Sequence, residues 1–175
     1  MEREELLYAW TCRCCGRQYR TLPLDFACDA PSYWTQLAEE ERRHAFLSAD
    51  ICTIGEDRFI RGCLEIPVIG RPERFVWGVW SSLSDQSLQR AYELWDAAEI
   101  PADEPARFGW FSNELKHLYG GHSTLNLKVR IRFRAGSLRP LIELEPTGHP
   151  LAREQAQGIT LERVQEIAAA LLHRH

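Results

Sequence analysis

The sequence predicts an α+β fold in a single domain, an antiparallel-rich sheet with flanking helices, and three stretches carry that prediction. From Leu125 to Phe133, apolar residues at odd positions alternate without a break with Asn126, Lys128, Arg130 and Arg132. This is the period of a strand with one face buried and one solvated. Between Phe75 and Ser82 both alternating faces are apolar, with Phe75, Trp77 and Val79 on one and Val76 and Trp80 on the other. Such a strand belongs in the middle of a sheet covered on both sides. From Thr160, Leu161, Val164, Ile167, Ala168, Leu171 and Leu172 recur at helical spacing and form one apolar stripe.

The remaining elements follow in chain order. Residues 1–30 hold Cys12, Cys14, Cys15 and Cys28 among turn formers, and read as a strand, a metal-knuckle turn and a loop packed on the domain. Trp34, Leu37, Ala38, Ala45 and Phe46 suggest one or two short helices after Pro31, with Glu39 to Arg43 solvated. Ile51 to Ile54 and Phe59 to Val68 flank the turn composition Gly55-Glu56-Asp57-Arg58, which predicts a hairpin. Ser84 is placed to cap a helix bearing Leu88, Ala91, Tyr92 and Trp95, and Pro101 to Pro105 reads as a loop. After a turn at Gly136, Leu138 to Glu145 should return beside the alternating strand. One domain over 1–175 is expected, with no internal repeat.

Composition bounds the function. The chain of 175 residues is 45% apolar and carries six Trp, seven Phe and five Tyr, enough to build a sizeable core. Its formal net charge of −4 gives no global drive toward nucleic acid. Met1 to Glu5 lacks the basic flank and apolar run of a secretory signal, and no stretch is long and apolar enough to span a membrane. A soluble, cytoplasmic protein is the expectation, and there six cysteines are thiols or metal ligands before they are disulfides.

The cysteines supply the most specific chemistry. Cys12-x-x-Cys15-Gly16 is a knuckle in which two thiolates reach one metal. If Asp57 and Arg58 form the loop of the hairpin, Cys52 faces Cys63 across it, and Arg61-Gly62 reads as a bulge aiming Cys63 at the metal. Cys12, Cys15, Cys52 and Cys63 are therefore the predicted ligands of one structural Zn²⁺, with Cys28 in reserve and Cys14 turned away. The opposing reading makes Cys52 and Cys63 small buried hydrophobes.

Three other groupings carry weaker signals. Lys128, Arg130, Arg132 and Arg134 could follow phosphates. A four-residue loop from Ala135 to Leu138, however, sets Arg130 opposite Glu143 and Lys128 opposite Glu145, with Ile131 opposite Ile142 and Val129 opposite Leu144. A zinc-ribbon nucleic-acid binder is accordingly disfavoured. His117, Tyr119 and His122, with His149 near, could line an enzyme pocket in which His122 and Ser123 act as base and nucleophile, but Gly120-Gly121 reads more simply as a turn. Trp77, Trp80, Trp95 and Trp110 could line a ligand cavity or an interface, but at strand and helix spacing they read as core.

An ordered set of segments resembles the bacterial domain-of-unknown-function family 2199. It includes Cys12-x-x-Cys15-Gly16, Asp50-Ile51-Cys52, Arg61 to Val68, Trp77 to Ser81, Phe108-Gly109-Trp110, Arg139-Pro140, His149 to Ala152, Gln155 and Gly158-Ile159. Members often carry a His shortly after the first Cys pair, where this chain has Tyr19. The resemblance implies no activity. The expected function is that of a zinc-stabilised, non-catalytic protein-interaction module with a regulatory or toxin-neutralising role. No oligomeric state is implied.

Overall fold

The computed structural model describes residues 9–173. A small hairpin comes first, β1 (Trp10–Thr11) with β2 (Gln18–Tyr19), and pairs Trp10 with Tyr19. The main sheet holds β3 (Asp25–Ala27), β4 (Phe46–Leu47), β5 (Ile51–Ile54), β6 (Asp57–Pro67), β7 (Arg74–Leu83), β8 (Arg107–Trp110), β9 (Lys128–Arg132) and β10 (Leu141–Leu144). Helices α1 (Ser32–Gln36) and α2 (Glu39–Arg42) are short; α3 (Asp85–Leu94), α4 (Pro150–Gln157) and α5 (Leu161–Leu172) are longer.

The sheet runs β3-β7-β6-β10-β9-β8, with β5 pairing β6 and β4 pairing β5. Pairing is antiparallel except for β3 with β7 and β10 with β6, so the antiparallel-rich α+β class holds. As its two-sided apolar pattern requires, β7 is an interior strand, and Phe75, Trp77, Val79 and Trp80 are all buried. β9 and β10 adopt the predicted register, Ile142 opposite Ile131 and Glu143 opposite Arg130. The ion pairs run diagonally, Arg132 to Glu143 at 2.7 Å and Arg130 to Glu145 at 3.8 Å. β9 starts later than expected, at Lys128, because Asn126 takes a positive φ of 61° that a regular strand does not allow.

Three expectations are corrected. The β5–β6 loop is Gly55-Glu56, so Cys52 faces Phe59. Gly55, at φ 56°, supplies the positive φ that a two-residue hairpin asks of its first loop residue. Arg61-Gly62 is regular strand, with Gly62 opposite Val79; a Cβ there would lie 2.6 Å from Ile142 Cγ1, so this glycine serves packing. On α3, Tyr92, expected on the apolar stripe, is exposed, and Leu94 is buried in its stead. The helix α4 had no counterpart in the sequence analysis; Pro150 opens it at N1, and His149 Nδ1 accepts the Leu151 N–H at 3.1 Å.

Side chains finish the sheet where strands cannot. Gln155 of α4 accepts the Leu144 N–H and donates to the Ile142 carbonyl, standing in for a strand at the edge of β10. Asn113 accepts the buried Trp80 N–H at 2.7 Å and donates to the Ala30 carbonyl at 2.9 Å. Beyond β8, Phe111 forms a bridge with Ser81 of β7, so the sheet curls back toward its own centre.

Glu104, just before β8, is nearly buried and bonded by Arg90 of α3 and by Arg107. The Arg90 hydrogen bond, with Arg107 assisting against desolvation, lowers its pKa from 4.5 to about 2. A carboxylate whose folded pKa is depressed stabilises the fold above its unfolded pKa and loses that contribution as pH falls through the folded one. Urea unfolding of wild type and Glu104→Gln should therefore show a constant gap from pH 7 to 5. That gap should shrink between about pH 4.5 and 2.

Candidate metal centre

The knuckle is built by the β1–β2 hairpin. Trp10 and Tyr19 stack with ring centroids 4.9 Å apart, fixing its base. Cys12 donates its N–H to the Arg17 carbonyl and accepts that of Gly16, each at 2.8 Å, and Gly16 takes the φ of +72° that the turn requires. This tight loop turns Cys12, Cys14 and Cys15 toward a common point. From the far end of the chain, Thr160 caps α5, and burial of Val164, Ile167 and Ala168 seats that helix on the core. His173 follows its last turn.

His173 Nε2 lies 3.4 Å from Cys12 Sγ, 3.4 Å from Cys15 Sγ and 3.3 Å from the Tyr19 hydroxyl. The ligand atoms of Cys12, Cys14, Cys15 and His173 all fall within 4.8 Å of one another, a group that could hold a metal ion. Zn–S bonds of about 2.3 Å and Zn–N bonds of about 2.0–2.1 Å, arranged tetrahedrally, put sulfur and nitrogen about 3.5 Å apart and two sulfurs about 3.8 Å apart. The sulfur–nitrogen distances meet that geometry. Cys12 and Cys14 Sγ lie 2.9 Å apart and would separate by about 0.9 Å, the reach of small side-chain rotations.

The close sulfur pair shares a proton. A hydrogen bond from Cys14 is the main cause that lowers the Cys12 thiol to about 6, and the same bond raises Cys14 to about 11. Cys12 is thus a thiolate near neutral pH, the form that binds metal. Cys12 is buried, whereas Cys14 and Cys15 are exposed.

The other predicted ligands lie elsewhere. Cys52 is buried in a separate cluster with Phe59 and Trp80, where desolvation raises its thiol to about 11. Cys28 packs against that cluster. Cys63 pairs with Gly78 and Leu141, and lines a cleft of about 530 Å³ between β6, β10 and α4 with Glu65 and Arg74. Neither Cys52 nor Cys63 joins the group formed by Cys12 and Cys15, so the hairpin supplies no opposed ligand pair. Cys14, expected to turn away, comes into the group, and so does His173, which no motif in the sequence marks. A helix ending in His near the C-terminus was the available signal, but nothing local linked it to residue 12.

The catalytic grouping is assembled in part, with the Tyr119 and His149 rings 5.8 Å apart, but its polar atoms are not free to act together. Tyr119 is buried, and burial raises its hydroxyl pKa, while His117 and His122 are exposed. The His122 and His149 rings approach to 6.2 Å, but His149 Nδ1 is engaged as the cap of α4. Ser123 donates its hydroxyl to Glu114 at 2.7 Å, with no imidazole between them.

Fold and centre together define a class: an α+β protein with a curled, mostly antiparallel sheet and a Cys₃His group joining its two terminal segments. The chain belongs to the family described as uncharacterized protein conserved in bacteria (DUF2199), whose model matches residues 11–159. The match takes in the three cysteines and stops before α5 and His173. No curated protein and no solved structure matches the chain. Among the described residues, no helix is long and apolar enough to cross a membrane.

Proposed function

We propose that this protein is a non-catalytic interaction module of the cytoplasm whose N-terminal hairpin is pinned to its C-terminal helix by one structural Zn²⁺. The observation that carries the reading is the convergence of three thiols and an imidazole within 4.8 Å. Thiolate and imidazole donors suit zinc, and four protein ligands close its shell with no position left for water or substrate. A closed site holds segments together; it does not activate a nucleophile. The Ser123 hydroxyl, held by Glu114, lends no support to hydrolytic chemistry in the His122 loop.

Metal analysis of protein purified without added metal tests the centre. About one zinc per chain is expected. Cys14→Ser and His173→Ala should lose it, and Cys63→Ser should keep it. Zinc that survives Cys14→Ser and His173→Ala but leaves with Cys63→Ser would return the site to the sheet and sink the proposed ligand set.

A further inference from the structure

We propose that the outward face of β8 and β9 is a docking surface for a protein segment that carries an apolar anchor beside acidic side chains. Phe108, Trp110, Lys128 and Arg130 are its contact residues. This deepens the interaction reading above and rests on it.

The surface begins with two misplaced aromatics. Phe108 is 49% exposed and Trp110 40%, and their rings meet edge to face with centroids 5.0 Å apart. The other strongly exposed large hydrophobics, Phe46, Ile69, Tyr92, Leu138 and Leu172, come from five different places in the chain. Singly exposed apolar side chains are ordinary, whereas these two rings form one contiguous apolar spot on a strand face. Chain geometry enforces the presentation. Between the two aromatics stands Gly109, whose missing Cβ would collide with the Ser82 carbonyl oxygen and Ser81 Oγ of β7. The inner side of β8 therefore presses on backbone, and both rings must point outward.

Charge states what the partner looks like. Antiparallel register puts Arg130 opposite Phe108 and Lys128 opposite Trp110, so both cations share the aromatic face. Arg132, one pair further along, is held by Glu143 at 2.7 Å. Arg130 has a loose partner, Glu145 at 3.8 Å, and Lys128 makes no ion pair among the described residues. Two aromatics rimmed by partly uncompensated cations complement an apolar side chain flanked by carboxylates. Trp and Arg are also the side chains that most often dominate binding energy at protein interfaces. A nucleic-acid strand fits less well, because Glu143 and Glu145 interrupt the cationic row that phosphates would track.

A random-sequence peptide display library selected on the immobilised wild-type protein tests the proposal. Synthetic copies of enriched peptides are then titrated by fluorescence anisotropy. Enriched sequences should place Asp or Glu beside an aromatic or aliphatic residue. Their affinity should fall at least tenfold in Trp110→Ala and in Lys128→Glu; the latter leaves both rings in place, and unchanged thermal midpoints would show that both variants fold. Peptides that bind wild type and both variants equally would place the contact on another face, overturning this surface while leaving the interaction reading intact. Failure to enrich any peptide on wild type would overturn the interaction reading as well. Tight, steeply salt-dependent binding of a 20-nucleotide oligothymidylate, lost in Trp110→Ala, would assign the face to nucleic acid and overturn the peptide proposal.

Discussion

Stripping zinc with a chelator, or substituting Cys12→Ser, should lower the thermal midpoint by about 10 °C. The magnitude comes from linkage: a ligand held at a thousand times its dissociation constant stabilises the folded state by about 4 kcal/mol. For a domain of this length each kcal/mol moves the midpoint by about 2–4 °C. The loss should be local before it is global. The hairpin contributes Trp10 and Cys12 to the core but pairs only β1 with β2, whereas the large sheet is held by its own ladder and by buried Phe75, Trp77, Val79 and Trp80. Hydrogen exchange should accordingly show protection falling first at residues 10–19 and in the last turn of α5. Protons compete for the thiolates, so the zinc-dependent increment should shrink as pH falls. An unchanged midpoint and unchanged exchange at residues 10–19 after complete zinc removal would mean that packing of Trp10 and Tyr19 alone holds the hairpin.

The partial legibility of this centre has a physical cause. Cys12 and Cys15 were recognisable because a knuckle is a local turn, closed by hydrogen bonds among residues 12 to 17. His173, the fourth member of the group, lies 161 residues from Cys12, and no local pattern specifies which distant element will arrive there. Expecting it on the β5–β6 hairpin depended on a register, and registers follow the turn residue that tolerates positive φ; Gly55 does, which shifts the pairing away from Cys63. By contrast, β9 and β10 kept their expected register because charge and apolarity both agree only when Arg130 opposes Glu143 and Ile131 opposes Ile142. Trp110 shows the complementary failure. Composition places Trp in cores, but Gly109 takes the inward position on β8 and turns its neighbours out. The membership of the family was legible in ordered segments across most of the chain, and the match over residues 11–159 bears it out.

Gly109→Ala should destabilise the protein by about 2–3 kcal/mol, toward the upper end of overpacking costs. The reason lies in what the new methyl group would meet. At Gly62 the two nearest atoms belong to the Ile142 side chain, which can rotate away in part, with the Pro140 carbonyl oxygen next at 2.8 Å. At Gly109 the nearest atoms are the Ser82 carbonyl oxygen and Ser81 Oγ, with Ile131 Cδ1 at 3.0 Å behind them. The carbonyl belongs to β7, whose ladder with β6 runs its whole length and pairs Ser82 with Phe59, so this backbone has little room to retreat. β8 must therefore lift away, straining the Phe111–Ser81 bridge and the bond that Ser82 Oγ accepts from the Trp110 N–H. Gly148→Ala is the control: nothing lies within 4 Å of its added Cβ and its φ is not positive, so it should be close to neutral. Urea unfolding of the two variants side by side measures the difference. Because the same lift tilts Phe108 and Trp110, Gly109→Ala should also weaken peptides selected on the β8–β9 face, although it removes none of their contact side chains. Equal stability of the two alanine variants would show that β8 rests on β7 less closely than this packing requires.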